Sequence, residues 1–380
     1  MNPLSRRRRR YGMIWRKNAR QRLVRIAHAE VTPTAGAGRL AWVDVARGAC
    51  VLLVVLHHVV RQFDAESDGP WRVAVGFWMS VDTVLTPIRI PLFFLISGLL
   101  ASSKLLVSLN SAKMRYIVPL YLYFLWSVLL GVREFMPGQN SGSAFDTTTR
   151  IAASIALVCS GYWYLFALPL YFFLARLLYR WNRVSVLLLL AVPMIFRVPI
   201  TDFFVDISVQ LTGSPSLLGS VFANVIFFVI GAYYREQIIE FATGSDVVRL
   251  LFGFLAYSGL IGLYVWTNIS VISLVASVIG IAFGITAAFL AGNSVFARWL
   301  NYIGARTLPV YVLQFFFISV LAFVWSISGD RIESVITVGA FAYPVALTIL
   351  ITVVSLVFYR VAPSVRLGFL FEPPRWLVRS

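Results

Sequence analysis

The sequence predicts an all-α fold, a polytopic transmembrane helical bundle of about ten spans with both termini in the cytoplasm. Three observations carry that expectation. Of the 380 residues, 59% are hydrophobic and only 13% charged, whereas an ordinary soluble domain is about one-quarter charged. The mean hydropathy is +0.81. Continuous apolar stretches of about 20 residues, the length that crosses a ~30 Å hydrocarbon core, recur from Val43 to Arg360 with short polar breaks between them. A β-barrel is excluded, because its strands alternate with period two over about ten residues.

Residues 1–40 come first, as a basic arm. Arg6 to Arg10 run together and no acid precedes Glu30. The spacing of Trp15, Ala19, Leu23 and Ile26, flanked by Arg16, Lys17, Arg20, Arg22 and Arg25, makes a stripe suited to an anionic leaflet. A solvated tail and an organelle presequence are the alternatives the same composition allows. Spans are then expected near 42–62, 84–106, 116–132, 161–179, 184–199, 216–234, 248–267, 270–292, 307–327 and 335–359. Residues 361–380, with Pro363 and Pro373-Pro374, read as a short basic cytoplasmic tail. The chain thus divides into the arm, a membrane domain over 41–360 and the tail, with no appended soluble domain expected.

The net charge of +17 fits topology better than nucleic acid, so no nucleic-acid partner is expected. Cytoplasmic loops near span ends are enriched in lysine and arginine. With ten spans and the amino terminus inside, 26 of the 33 basic residues fall on the cytoplasmic side, while ten of the sixteen acids fall outside. A shift of the count by one span inverts the downstream loops and destroys the bias.

The chemistry concentrates in the first span. Arg47 and His58 are eleven residues apart, so at about 100° per residue they lie within roughly 20° of one another, ~16 Å apart along the axis. Asp44 falls within about 40° of that face and stands one turn from Arg47, where an ion pair can hold the guanidinium. Ionisable residues inside a span are costly enough to suggest function. The stripe must therefore face the bundle interior or a wet cavity. An interfacial pair is the plainer reading of Asp44 and Arg47, and a hydrogen bond between helices that of His58. His57 points away from the stripe and is expected to be dispensable. No metal site is expected, because adjacent histidines on a helix diverge and lack carboxylates or thiols at ligand spacing. Cys50 and Cys159 suggest neither a disulfide framework nor a thiolate site.

Further blocks follow. The second span begins Arg89-Ile90-Pro91-Leu92-Phe93-Phe94-Leu95-Ile96-Ser97-Gly98. A basic loop reads Lys113-Met114-Arg115 and leads to Pro119, and Tyr162-Trp163-Tyr164-Leu165 opens the fourth span. Phe227-Phe228 precede Gly231, and Gly304 precedes Thr307-Leu308 and Tyr311. Together with the arginine, ten residues and histidine of the first span, these blocks resemble the type-3 integral-membrane acyltransferase family, bacterial enzymes that O-acylate cell-surface glycans and lipids. The likeness covers residues 40–326. Gln314 departs from it, standing where many relatives have a histidine.

The resemblance implies acyl transfer to a hydroxyl. His58 and Arg47 are then the expected catalytic residues, with His58 acting as base or transient acyl carrier. Asp44, Arg89, Ser97 and Trp163 are the expected substrate-binding residues. Close helix packing remains the plainer reading of Ser97, and an interfacial belt that of Trp163. The donor expected is a cytoplasmic acyl-CoA, acetyl-CoA first, with no permanently bound cofactor. The expected partners are that donor, a carbohydrate or glycolipid acceptor of the cell envelope, and the bilayer. The location expected is the cell inner membrane. A transporter that flips a lipid-linked glycan is the competing class, since it also needs many spans and buried polar groups.

Overall fold

The structure, a computed structural model, describes residues 40–66, 72–132, 144–292, 294–336 and 339–378. The basic arm, apart from Leu40, lies outside the described residues, as do 67–71 and 133–143. Among the described residues there are helices and no strand.

The first half of the chain forms α1 (Ala41–Glu66), α2 (Arg72–Ala101), α3 (Met114–Val132), α4 (Ala144–Ala156), α5 (Trp163–Leu178), α6 (Arg183–Ile195) and α7 (Arg197–Thr212). The second half forms α8 (Leu218–Tyr233), α9 (Arg235–Thr243), α10 (Val247–Thr267), α11 (Ser270–Ala291), α12 (Val295–Gly304), α13 (Thr307–Ile336) and α14 (Tyr343–Val361). Six of these (α1, α2, α3, α10, α11 and α14) are long and apolar enough to cross a membrane. Three pairs pass the same test together but are bent: α6 with α7 by 58°, α8 with α9 by 79° and α12 with α13 by 80°. If each bent pair is one span, the described residues hold up to nine. Helix α5 is apolar but only 16 residues long.

Several boundaries differ from the sequence expectation; the span expected at 184–199, for one, breaks at Phe196 and continues as α7 to Thr212. Helix α2 starts at Arg72, twelve residues before the expected 84, and runs through Pro87 and Pro91. Prolines are tolerated in spans because neighbouring helices and hydroxyls take up the freed backbone groups. Helix α13 continues to Ile336, past the expected 327, and α14 begins only at Tyr343. No proline interrupts 310–343, and Pro344 enters at the first turn of α14, where a missing N–H costs nothing.

Helix α1 is the hub, packed by α2, α11, α12, α13 and α14. Two reciprocal glycine contacts set the tightest crossings. A Cβ on Gly98 of α2 would stand 1.9 Å from the Phe228 carbonyl oxygen of α8, and one on Gly231 would stand 1.9 Å from that of Leu95. Gly48 of α1 and Gly304 of α12 meet the Leu300 and Asp44 carbonyls in the same way, at 2.1 and 1.8 Å. Small residues that let backbones touch drive helix association where lipid removes any hydrophobic gain.

The segment after α14 does not run off freely. The Tyr121 hydroxyl donates to the Phe369 carbonyl and Trp126 Nε1 to that of Leu370, each at 2.9 Å. Phe371 lies on Tyr359 at 5.0 Å between ring centres. The tail is thereby strapped across α3.

Candidate functional site

The ionisable residues of α1 sit at two levels. Near the Ala41 end, Arg47 Nη1 lies 3.6 Å from Asp44 Oδ1, and Nη2 donates to Thr307 Oγ1 at 2.9 Å. Thr307 is presented there because α12 and α13 meet at 80°, which brings the first turn of α13 against α1. The guanidinium keeps 27% of its side chain exposed. It opens onto a cavity of about 240 Å³ whose walls include Ser97, Arg115, Pro119 and Tyr164. A second cavity of about 120 Å³ shares Arg47, Pro119 and Tyr164 and extends to Leu165, Thr307 and Tyr311. Ser97 Oγ and the Tyr164 hydroxyl are 2.6 Å apart, and Phe93 stacks on the Tyr164 ring at 4.7 Å. The result is a largely apolar chamber with two guanidinium groups, Arg47 and Arg115, and a hydroxyl pair on its wall.

Helix α1 is unbroken from Arg47 to His58, so the separation of ~16 Å follows from its rise. One stripe of α13 spans that interval, since residues four apart share a helix face. Thr307 holds Arg47, Tyr311 lines the cavity, and Phe315 packs against His58 with ring centres 4.5 Å apart and planes tilted by 59°. Tyr311 donates to the Gly161 carbonyl at 2.7 Å and Tyr162 to that of Val312 at 2.9 Å, tying the stripe to the start of α5. A Cβ on Gly161 would fall inside the Phe315 ring, so glycine is what lets that ring reach His58. Gln314 is fully buried; its amide nitrogen donates to the Tyr311 carbonyl at 3.0 Å, and its Oε1 has no hydrogen-bond partner among the described residues.

The second level centres on an acid that composition alone did not single out. His57 Nδ1 lies 2.8 and 3.0 Å from the two carboxylate oxygens of Asp82. Arg89, seven residues further along α2, also pairs with Asp82, and Arg61 Nε stands 4.0 Å from it. Asp82 and Arg89 are 6% and 4% exposed. Such charges are expensive in a span unless they are matched, and here each is. His57 and His58 meet edge to face at 4.8 Å.

The structure therefore brings Arg47 and Ser97 to one cavity, with Asp44 buried behind the guanidinium it pairs with, and sets His58 further along the same helix. Arg89 is turned to Asp82 and does not line the Arg47 chamber, and Trp163 packs on Phe94 at 5.6 Å while its neighbour Tyr164 faces the chamber. His57, expected to be dispensable, holds a carboxylate. Thr307, Tyr164 and Arg115 were visible only as members of motif blocks. Asp82 falls where the sequence predicts an outer loop, between the spans expected at 42–62 and 84–106.

Residues 40–360 match the family model described as an acyltransferase domain, the acyltransferase-3 group. The inner membrane protein YcfT of Escherichia coli strain K12 is 23% identical over 372 residues, which covers 88% of this chain and 96% of that protein. No solved structure matches the chain.

Proposed function

The chain belongs to this acyltransferase family, and from that premise we propose that it moves an acyl group, acetyl in the first instance, from a cytoplasmic acyl-CoA to a hydroxyl of a cell-envelope glycan or glycolipid. One observation carries the reading. Arg47 opens onto a chamber at one level of α1, and a continuous stripe of α13 leads from it to an imidazole ~16 Å further along the helix. An elongated donor with an anionic head and a reactive tail suits that interval.

In this reading the Ala41 end of α1 faces the cytoplasm. Arg47 binds donor phosphate by charge-assisted hydrogen bonds, with Asp44 and Thr307 fixing its fork. Ser97 and Tyr164 offer hydroxyls along the pantetheine path, and the apolar wall keeps water from the thioester. His58 acts on the acyl group as base or as transient carrier, which a neutral imidazole does at ordinary pH. Counting α5 as a span beside the six long helices and three bent pairs gives ten, with both termini inside. The name of the Escherichia coli relative supports the inner membrane as the location.

The test follows label from radiolabelled acetyl-CoA in membranes that carry or lack the protein. Label in the glycan or lipid fraction is expected only where the protein is present. Equal label in both overturns the proposal.

A further inference from the structure

We infer that the two adjacent histidines divide the reaction: His58 carries the acyl group, while His57, oriented by Asp82, takes the proton of the acceptor hydroxyl. The inference rests on the acyl-transfer reading above. Asp82 is then a positioning residue that acts through His57.

The geometry separates the two rings. A carboxylate only accepts hydrogen bonds, so the contacts of 2.8 and 3.0 Å put a proton on His57 Nδ1 and leave Nε2 with the lone pair in the neutral ring. That is how a base is held in one tautomer. Tying α1 to α2 does not require an imidazole, since Arg61 of α1 already stands 4.0 Å from Asp82. Arg89, buried beside Asp82, fixes the carboxylate in turn. His58 has no hydrogen bond to a described residue and rests on Phe315, the last member of the stripe that rises from the Arg47 chamber. His57 and Arg61, four residues apart, share the neighbouring flank, with 25% and 55% of their side chains exposed. One ring thus faces the donor's path, and the other faces α2 and Asp82, the side from which the acceptor is taken to enter.

The steps balance. A nitrogen of His58 attacks the thioester carbonyl, the carbon–sulfur bond breaks, and the departing thiolate takes the ring N–H proton. The acceptor oxygen then attacks the carbonyl carbon of acyl-His58 as its proton passes to His57 Nε2. The bond from carbon to His58 breaks with its electron pair returning to that ring, which recovers the proton from His57. Both imidazoles end neutral.

The test uses full-length protein in lipid nanodiscs, acetyl-CoA as donor, water as acceptor and release of the free thiol as signal. Wild type is expected to show a burst of one thiol per protein and then a steady rate. His57→Gln and Asp82→Asn should keep the burst and the kcat/KM for acetyl-CoA while the steady rate, and KM with it, falls on the order of 10²-fold, the usual worth of a general base. Asp82→Glu should recover part of that rate, and His58→Ala should lose burst and steady rate together. Thermal unfolding is measured in parallel. If Asp82→Asn does not fold, His57→Gln, which leaves Asp82 with both arginines, decides alone. Wild-type steady rates in folded His57→Gln, or a burst lost with the steady rate, overturn the division of labour while leaving the acyl-transfer reading intact. No thiol release from wild type overturns both.

Discussion

Thr307, the first residue of α13, accepts a 2.9 Å hydrogen bond from Arg47 of α1, 260 residues earlier in the chain. The Asp44 carboxylate approaches the same guanidinium from one turn below. Held from two sides, the fork points into the chamber without having to be ordered by its ligand, and preorganisation of that kind lowers the entropic cost of binding. Thr307→Val should therefore weaken coenzyme A binding several-fold while the protein remains folded, as isothermal titration would read.

Arg47→Lys keeps the charge but loses the planar fork. A hydrogen bond to a charged group is worth ~1.5–3 kcal/mol, so the affinity for coenzyme A should fall about tenfold or more, with protein level unchanged. Unchanged affinity in folded Arg47→Ala would leave the residue as an anchor for Asp44 and Thr307 alone.

His58→Ala should insert and fold normally, because the ring is held by contacts with Phe315 and His57 and by no hydrogen bond to a described residue. Transfer should drop about 10²–10⁴-fold, the range for loss of an acid–base group. Retained transfer would move the chemistry to another residue.

Gly98→Ala should be poorly folded. Its Cβ would collide with a backbone oxygen, which cannot rotate aside, at 1.9 Å. The cost should lie at the upper end of the ~1–3 kcal/mol typical of overpacking, and Gly231→Ala should match it because the contact is reciprocal. Full thermal stability in either variant would show that α2 and α8 do not cross so closely.

Topology is open to reporter fusions. Those after residues 110 and 182 should read cytoplasmic, and those after 140 and 214 external. A reversed reading at any of them would break the ten-span arrangement.

The all-helical, membrane-spanning character and the one-sided spacing of Arg47 and His58 are legible in the sequence, because hydropathy and helical spacing are local properties, whereas the expected ten spans meet six long helices and three bent pairs. Asp82 is not legible in this way. Its stretch reads as loop in the sequence, between the spans expected at 42–62 and 84–106 and after Asp64, Glu66 and Asp68. What permits a helix there is tertiary: Arg89 from the same helix, with His57 and Arg61 from α1, neutralises the acid. His57 was set aside for a related reason, since a helical wheel shows which residues share a face and not which helix covers the other face. The strap formed by the tail was also hidden, although Phe369, Leu370 and Phe371 are an apolar run among prolines and arginines.

The central claim, that a new acyl ester is made and that His58 makes it, is tested most directly by mass spectrometry of surface glycans and lipids. The cells compared lack the gene, carry the wild type, or carry His58→Ala. An acyl-sized mass increment should appear with the wild type alone. Identical masses in all three strains, with only the sidedness of a lipid-linked glycan changed, would contradict it.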